Sequence, residues 1–354
     1  SVTAGLGIIA HGIEQGDIEL PSFTPADIAR QASAGSSRPN VSPVNIQVMQ
    51  RRIQVQEEGE EAKQADEVTL VMLGARGITA VSLPTARLSQ YETIPLENGD
   101  PPLALIIATL DEPLLVVTSK YRFLQFTARQ LLELQKMNVS VRELHQLGER
   151  ETLCTLTLWA EAKTAEKLLI VTSSGLARPY PLRIMLESIE APVPMMFDNP
   201  LAGVPILVTG AESADWLHLL TRNGKGLQFP VARLLTRGTQ AIHLTGNERR
   251  NVALRAPQNG THLLLTADGF GKRQAAIDMP AVSTPKQKGR SLIARRSDCV
   301  VMMPVTDEVV WTATTQGLEP VDPDRVPAEE SSKSYDVLRL NKKSGEQVTA
   351  VLRQ

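Results

Sequence analysis

A recurring pattern of apolar and polar positions starts at residue 68. In each copy an apolar run leads to a Thr or small residue, two variable residues and usually a Gly, and a second apolar run follows. Short apolar runs bounded by turn residues are typical of strands, so each copy predicts a β-hairpin. The copies are LVMLGARG (70–77), LLVVTSKY (114–121), LLIVTSSG (168–175), LHLLTRNG (217–224), HLLLTADG (262–269) and VWTATTQG (310–317).

The spacing of these copies predicts a repeat fold. Their last positions, 77, 121, 175, 224, 269 and 317, are separated by 44, 54, 49, 45 and 48 residues, which leaves room for a second strand pair in each unit. One four-stranded sheet cannot bury both of its faces alone, so the sheets must stack on one another. We therefore predict an all-β fold in which residues 68–354 form a six-bladed, propeller-like domain.

The last position of the pattern predicts a particular backbone conformation. A tight hairpin needs a residue that tolerates positive φ where the chain reverses, and glycine does so without steric cost. Tyr121 occupies this position in the second copy. For that copy, the sequence predicts either a turn of different construction or an alignment that is shifted by one residue.

Residues 1–67 differ from the rest of the chain. They contain clusters of Pro, Ser and Gly, and they carry 5 basic and 10 acidic side chains. Residues 46–66 are rich in Gln, Glu and Ala, which favours either a solvated helix or a flexible acidic linker. We predict that residues 1–67 are an N-terminal acidic extension, partly helical or flexible.

Composition narrows the class of protein. With 42% hydrophobic and 21% charged residues, the chain has the composition of a globular protein. The two cysteines, Cys154 and Cys299, each lie in an apolar run, which excludes a zinc cluster and a disulfide framework and favours a reducing compartment. The apolar run 103–108 is too short to cross a bilayer, and the first residues lack the pattern of a secretory signal. The sequence predicts a cytoplasmic protein without a membrane partner.

Positive charge is concentrated in one sector of the chain. Residues 222–296 carry 14 basic and 3 acidic side chains, a net charge of plus 11, whereas the whole chain has a formal net charge of −2. A surface with such an excess of cations attracts an anionic partner. The alternative is a solvated surface whose cations form salt bridges elsewhere in the fold.

The stretch LLLTADGFGKR (263–273) resembles the repeat of the C-terminal domain of DNA gyrase A and of its topoisomerase IV counterpart. The resemblance extends over residues 68–354. It implies a six-bladed β-pinwheel, a propeller-like fold in which neighbouring blades exchange strands and DNA bends around a basic outer rim. It also implies duplex DNA as the partner, with the core or the B subunit of a type IIA topoisomerase as a candidate second partner, and location at the nucleoid.

The chain departs from the pattern of this family in its basic motifs. The basic pair after the turn is complete only at Lys272 and Arg273, and it is missing after Gly77 and Gly317. The glycine-rich basic heptad of gyrase has no intact match, and the nearest stretch is KQKGR (286–290). The resemblance therefore implies binding and bending or wrapping of DNA, and the alternative is a protein-interaction scaffold that has lost DNA wrapping.

No constellation of residues in the sequence supports catalysis. Gyrase-like cleavage uses a tyrosine that follows an arginine, and the four tyrosines here follow Gln, Lys, Pro and Ser. His218, His243 and His262 lie in apolar strand patterns without carboxylates or cysteines at ligand spacing, which is typical of structural histidines. We predict a protein that is non-catalytic by itself and has no metal and no cofactor.

The basic sector supplies the predicted DNA contacts. Lysine and arginine side chains neutralise phosphates and release counterions, which gives affinity without sequence choice. Three basic doublets occur in this sector, Arg249–Arg250, Lys272–Arg273 and Arg295–Arg296. Since side chains alternate along a strand, we expect only one member of each doublet to meet phosphate. The predicted nucleic-acid-binding residues are Arg222, Lys225, Arg249, Arg250, Lys272, Arg273, Lys286, Lys288, Arg290, Arg295 and Arg296.

Overall fold

The computed structural model describes residues 67–353 except for 91–92, 96–99, 164, 191–202, 246–250, 295–296 and 306–308. The described part consists mainly of β-strands, which confirms the all-β prediction. The predicted extension, residues 1–67, lies outside the described residues apart from Glu67, which begins the first strand.

The strands are short, and most of them are strongly apolar. Their bounds are β1 (Glu67–Leu73), β2 (Ile78–Pro84), β3 (Ile94–Pro95), β4 (Ala104–Ala108), β5 (Pro113–Thr118), β6 (Phe123–Thr127), β7 (Leu153–Leu158), β8 (Lys167–Thr172), β9 (Leu176–Pro181), β10 (Pro205–Ala211), β11 (Trp216–Thr221), β12 (Lys225–Pro230), β13 (Thr239–Gln240), β14 (Asn251–Ala256), β15 (Thr261–Thr266), β16 (Phe270–Ala275), β17 (Arg290–Ser291), β18 (Cys299–Pro304), β19 (Val310–Thr314), β20 (Gly317–Val321), β21 (Tyr335–Asp336) and β22 (Val348–Arg353).

Few helices interrupt the strands. The α-helices of the described residues are α1 (Thr85–Ser89), α2 (Ala128–Lys136), α3 (Val141–Leu144), α4 (Trp159–Ala162) and α5 (Leu182–Glu190). Short 3-10 turns lie at Val231–Arg233, Ala276–Asp278, Pro323–Arg325 and Lys342–Ser344. None of these helices is long and apolar enough to cross a membrane.

The described strands form five sheets. Their strand orders are β2-β1-β4-β22-β19-β20-β3, β6-β5-β7, β10-β8-β9-β13, β14-β11-β12-β17 and β18-β15-β16-β21. The seven-stranded sheet consists of two antiparallel groups that are joined by a parallel pair between β4 and β22. Contacts run from β4 to β7, β10, β14, β18 and β22 in turn, and β22 returns to β4. This closed circuit of inner strands makes the arrangement propeller-like.

The outermost strand of most sheets comes from the next repeat along the chain. β13 lies between β12 and β14 in sequence but pairs with β9 of the preceding sheet. In the same way, β17 pairs with β12 and β21 pairs with β16. β3, from the first repeat, pairs with β20 of the last. Neighbouring repeats therefore exchange strands, as the resemblance implies.

In two repeats a helix takes the place of the exchanged strand. Helix α2 packs against β2, and helix α5 packs against β6. The side-chain oxygen of Gln135, in α2, accepts a hydrogen bond of 2.8 Å from the backbone N–H of Ala80 at the edge of β2. The edge of a sheet carries backbone groups that need partners, and a covering helix supplies one of them here.

The repeated hairpin turn has a common construction. In four copies, the N–H of the last residue donates to the carbonyl oxygen of a buried threonine three positions earlier, at 2.9–3.0 Å. The last residue has φ between 60° and 83° in these copies, which confirms the predicted positive φ. The pairs are Thr118 with Tyr121, Thr172 with Gly175, Thr221 with Gly224 and Thr266 with Gly269.

Tyr121 itself adopts the left-handed conformation, with φ of 60°. Tyr121 is 7% exposed and packs in an apolar cluster with Leu115 and Phe123, while its hydroxyl donates to the carbonyl oxygen of Gly203 at 2.5 Å. The burial of the ring offsets the cost of this conformation, about 1–2 kcal/mol. The alignment of the second copy is therefore not shifted.

The expectation of positive φ is wrong for the first and last copies. Neither Gly77 nor Gly317 has a positive φ. At Gly317 the reason for glycine is space, because a Cβ there would lie 2.8 Å from the carbonyl oxygen of Ile94 in β3. The exchanged strand approaches too closely for a side chain.

We predict that Gly224→Ala lowers the free energy of unfolding by about 2–4 kcal/mol, because φ is 78° and the new Cβ would collide with the carbonyl group of Ile293. The matched control is Gly77→Ala at the same position of the first copy, where a Cβ meets nothing within 4 Å. We expect the control to change stability by less than about 0.5 kcal/mol in urea unfolding. Equal losses in both variants would contradict this account of the turn.

Candidate nucleic-acid interface

Five exposed cations of the sector 222–296 that the structure describes lie around β13 and β17, the outer strands of two neighbouring sheets. Lys286, Lys288 and Arg290 are exposed at and just before β17. They form, together with Arg233 and Arg237 before β13, the group that we call the outer basic edge. Among the described residues, none of these five side chains forms an ion pair with a carboxylate.

The segment that carries Lys286 and Lys288 spans two sheets. The N–H of Lys286 donates to the carbonyl oxygen of Gln240 in β13 at 2.8 Å, and the N–H of His243 donates to that of Gln287 at 2.8 Å. Four residues further on, Arg290 pairs with Gly226 in β12. The backbone thus fixes both lysines at the junction between the outer edges of the two sheets.

The backbone of this segment is constrained by close packing. Gly289 has φ of 71°, and a Cβ there would lie 2.8 Å from the carbonyl oxygen of Gly226. Lys286 also adopts a left-handed conformation, with φ of 64°. That conformation is unfavourable for a residue with a Cβ by about 1–2 kcal/mol, and glycine would relieve it. A lysine is nevertheless held at this exposed corner.

Lys225, on β12, does not project from the same face of its sheet as Arg290. It is half-buried and pairs with Ser291, whereas Arg290 pairs with Gly226. Directly paired residues point to the same face and successive residues to opposite faces, so Lys225 and Arg290 project from opposite faces of the sheet. Only one of the two can belong to a single continuous surface with Lys286 and Lys288.

Arg233 and Arg237 were not predicted individually from the sequence. Both are exposed in the connection that leads into β13. Each is an isolated basic residue in the sequence, so a search for basic doublets does not find them. Their position in the repeat would have identified them, because they precede β13 as Lys286 and Lys288 precede β17.

Carboxylates from outside the sector neutralise three of its arginines. Arg222 is ion-paired with Asp298, which raises the pKa of Arg222. A guanidinium N–H of Arg255 donates to Asp215 at 3.3 Å. Arg273 donates to the carbonyl oxygen of Val326 at 2.7 Å and to Asp324 at 3.1 Å. Arg222 and Arg273 therefore have less charge to offer a phosphate than the sequence predicted.

Lys272 is not at the surface, which corrects its place among the predicted phosphate contacts. Its side chain is 0% exposed, and its ammonium group donates to the carbonyl oxygens of Glu329 and Ser331 at 2.8 and 2.6 Å. Burial lowers the pKa of Lys272 to about 8. Lys272 holds the connection that leads to the exchanged strand β21.

The doublets Arg249–Arg250 and Arg295–Arg296 lie outside the described residues. Each precedes the inner strand of its repeat, and an equivalent doublet exists 47 residues after the second, at Lys342 and Lys343. Both lysines are exposed, in the 3-10 turn before β22. In the sequence, Lys272–Arg273 groups with the doublets at 249 and 295, and this grouping does not point to a doublet one repeat later. The spacing of 46 residues between 249 and 295 is the signal that would have pointed to Lys342 and Lys343.

Two histidines, His218 and His262, are buried in the sheets. No group of three or more His, Cys, Asp or Glu side chains in the described part could hold a metal ion. His218 and His262 are buried on β11 and β15 with Nδ1 of His218 3.1 Å from Nε2 of His262, and Nε2 of His218 lies 3.2 Å from the carbonyl oxygen of Pro257. Burial lowers the pKa of His218 to about 4, and burial with the neighbouring His218 lowers that of His262 to about 3.

The fold of this chain is similar to the folds of two solved domains. The C-terminal domain of DNA gyrase A shares 15% sequence identity with a TM-score of 0.64, and the match covers 81% of this chain and 99% of that one. The C-terminal domain of DNA topoisomerase IV shares 15% identity with a TM-score of 0.57, covering 81% and 93%. At 15% identity, the similarity shows the fold alone. It confirms that the chain resembles these C-terminal domains in fold. No protein-family profile and no curated protein matches the chain.

We predict that Lys272→Met lowers the free energy of unfolding by about 1–3 kcal/mol, since the carbonyl groups of Glu329 and Ser331 lose a charged donor. The measurement is urea unfolding, and the control is Lys286→Met, an exposed site expected to change stability by less than about 0.5 kcal/mol. A neutral Lys272→Met variant would show that the ammonium group does not hold the connection.

The histidine pair predicts acid sensitivity. Histidines in the unfolded chain have a pKa of about 6.5 and bind protons below that pH. The folded pair does not bind protons until about pH 4, so the two states differ in protonation between these values. Stability conferred by the neutral pair is therefore fully present above about pH 6.5 and falls as the pH is lowered through this range. In His218→Gln/His262→Gln, the slope of unfolding free energy against pH should become shallower by up to about 2.7 kcal/mol per pH unit. The exposed His243→Gln is the control, and an unchanged slope in the double variant would contradict the prediction.

Proposed function

We propose that this chain binds and bends duplex DNA through the outer basic edge of a six-bladed β-pinwheel. The two antiparallel groups of the seven-stranded sheet, taken as separate blades, give six blades with the four other sheets. The fold is that of two C-terminal domains of DNA topoisomerases. The observation that carries the proposal is the group of exposed cations before β13 and at or before β17 without carboxylate partners among the described residues.

The mechanism is electrostatic. Arginine and lysine side chains at a convex edge neutralise phosphates on one side of a duplex and release the counterions condensed there. Bending becomes favourable when the additional phosphate contacts along the edge outweigh the elastic cost of curvature, of order 1–6 kcal/mol for a bend of 40–90°. Contacts of this kind fix the path of the duplex and carry no sequence information.

In this role the chain is non-catalytic and needs no cofactor. It would act as part or relative of a type IIA topoisomerase, with the core or the B subunit of that enzyme as a protein partner and the nucleoid as its location in the cytoplasm. The alternative function is a protein-interaction scaffold that keeps the fold without DNA. The neutralisation of Arg222, Arg255 and Arg273 by carboxylates favours that alternative.

DNA binding by this mechanism must depend steeply on salt. We expect the full chain to bind linear duplex DNA with a log–log slope of affinity against salt concentration of about −4 to −5, as for five phosphate contacts. Fluorescence anisotropy with a labelled duplex of arbitrary sequence measures it, and a second duplex of different sequence should bind equally. A slope near zero, or no binding at low salt, would favour the scaffold. A topology assay with a relaxing enzyme then reports whether bound DNA is curved.

A further inference from the structure

The outer edge of the fold differs in charge and construction from one repeat to the next. Residues 231–245, which include β13, carry two basic and no acidic side chains, and residues 279–294, which include β17, carry three basic and no acidic ones. These two stretches are neighbours, because the N–H of Lys286 binds the carbonyl oxygen of Gln240. Together they form one continuous cationic surface.

On one side of this surface, helices stand where strands are exchanged elsewhere. Helix α5 covers β6 and helix α2 covers β2. The cations of α2 are already neutralised: Arg129 lies 2.8 Å from Asp111, and Lys136 lies 2.7 Å from Glu133. Residues 128–151, which contain α2 and α3, have four basic and four acidic side chains. Residues 182–190, which form α5, have one basic and two acidic side chains, so this part of the edge offers no excess positive charge to a phosphate backbone.

On the other side, the next exchanged strand is acidic. Residues 322–341, which include β21, carry three basic and five acidic side chains. Glu330 and Asp336 are exposed there. A phosphate backbone that continued past β17 onto β21 would meet like charges.

We infer that the duplex is held only along the edges of β13 and β17 and leaves the surface at α5 on one side and at β21 on the other. This inference rests on the proposed function and specifies its extent. DNA is stiff, with a persistence length of about 150 bp, so it straightens where phosphate contacts stop. The protein therefore makes a short, local bend and does not wrap DNA around the whole ring of sheets.

The test compares two variants of the full chain that each lose two positive charges. Lys286→Gln/Lys288→Gln removes charge from the outer basic edge, and Lys136→Gln/Arg183→Gln removes it from α2 and α5. With a long labelled duplex, the magnitude of the salt slope should fall by about 2 in the first variant and stay unchanged in the second. Circular dichroism melting checks that both variants fold.

A third variant examines the acidic side. In Lys333→Gln/Arg339→Gln, which removes two exposed cations beside β21, the salt slope and the bend angle from end-to-end energy transfer should match those of the unchanged protein. A clear fall in the magnitude of the salt slope in the helix variant, or in the salt slope and bend angle in the β21 variant, would show that DNA follows the edge further and would overturn the inference while leaving DNA binding intact. Absence of salt-dependent binding in the unchanged protein would overturn the proposed function itself.

Discussion

The structure depends on one constraint, which is that the second strand of each hairpin has an open edge whose backbone groups need partners. A strand from the next repeat satisfies that edge in four places, at β9, β12, β16 and β20. Because the strand added to β20 is β3, from the first repeat, the same interaction that joins neighbours also links the end of the chain to its beginning. The stability of each sheet is thus tied to the sheet that follows it.

The same constraint decides which side chains can face a ligand. The segment that satisfies an edge becomes the new outer surface, so its sequence sets the chemistry of that part of the fold. At β17 this segment brings Lys286, Lys288 and Arg290 outward. At β21 the equivalent segment is held from inside by Lys272, and its own exposed side chains include acidic ones. Two equivalent segments therefore present opposite charge.

Much of the fold could be predicted from the sequence because its determinants are local. The hairpins follow from apolar runs and a turn residue, and the period of the copies follows from the length of one repeat. The helices that replace exchanged strands could not be predicted in the same way. Whether residues 128–136 cover an edge as a helix or pair with it as a strand depends on a partner, Ala80, that lies 55 residues from Gln135 in the chain. Tyr121 shows the converse, since tertiary burial allows a tyrosine where local propensity favours glycine.

The candidate site could be predicted only in part, because charge in the sequence is not charge at the surface. Arg222 and Arg273 meet carboxylates that are distant in the sequence, and Lys272 is buried where the corresponding position of β12 is the apolar Leu227. The exposed cations of the sector 222–296 without carboxylate partners among the described residues form a smaller group. Its members occupy the same part of the repeat, just before or within an exchanged strand. Among the described residues, the sector with a net charge of plus 11 over 75 residues thus presents a short cationic edge. An edge of that length can attract a duplex and bend it locally, while a full wrap would need cations on every outer segment of the ring.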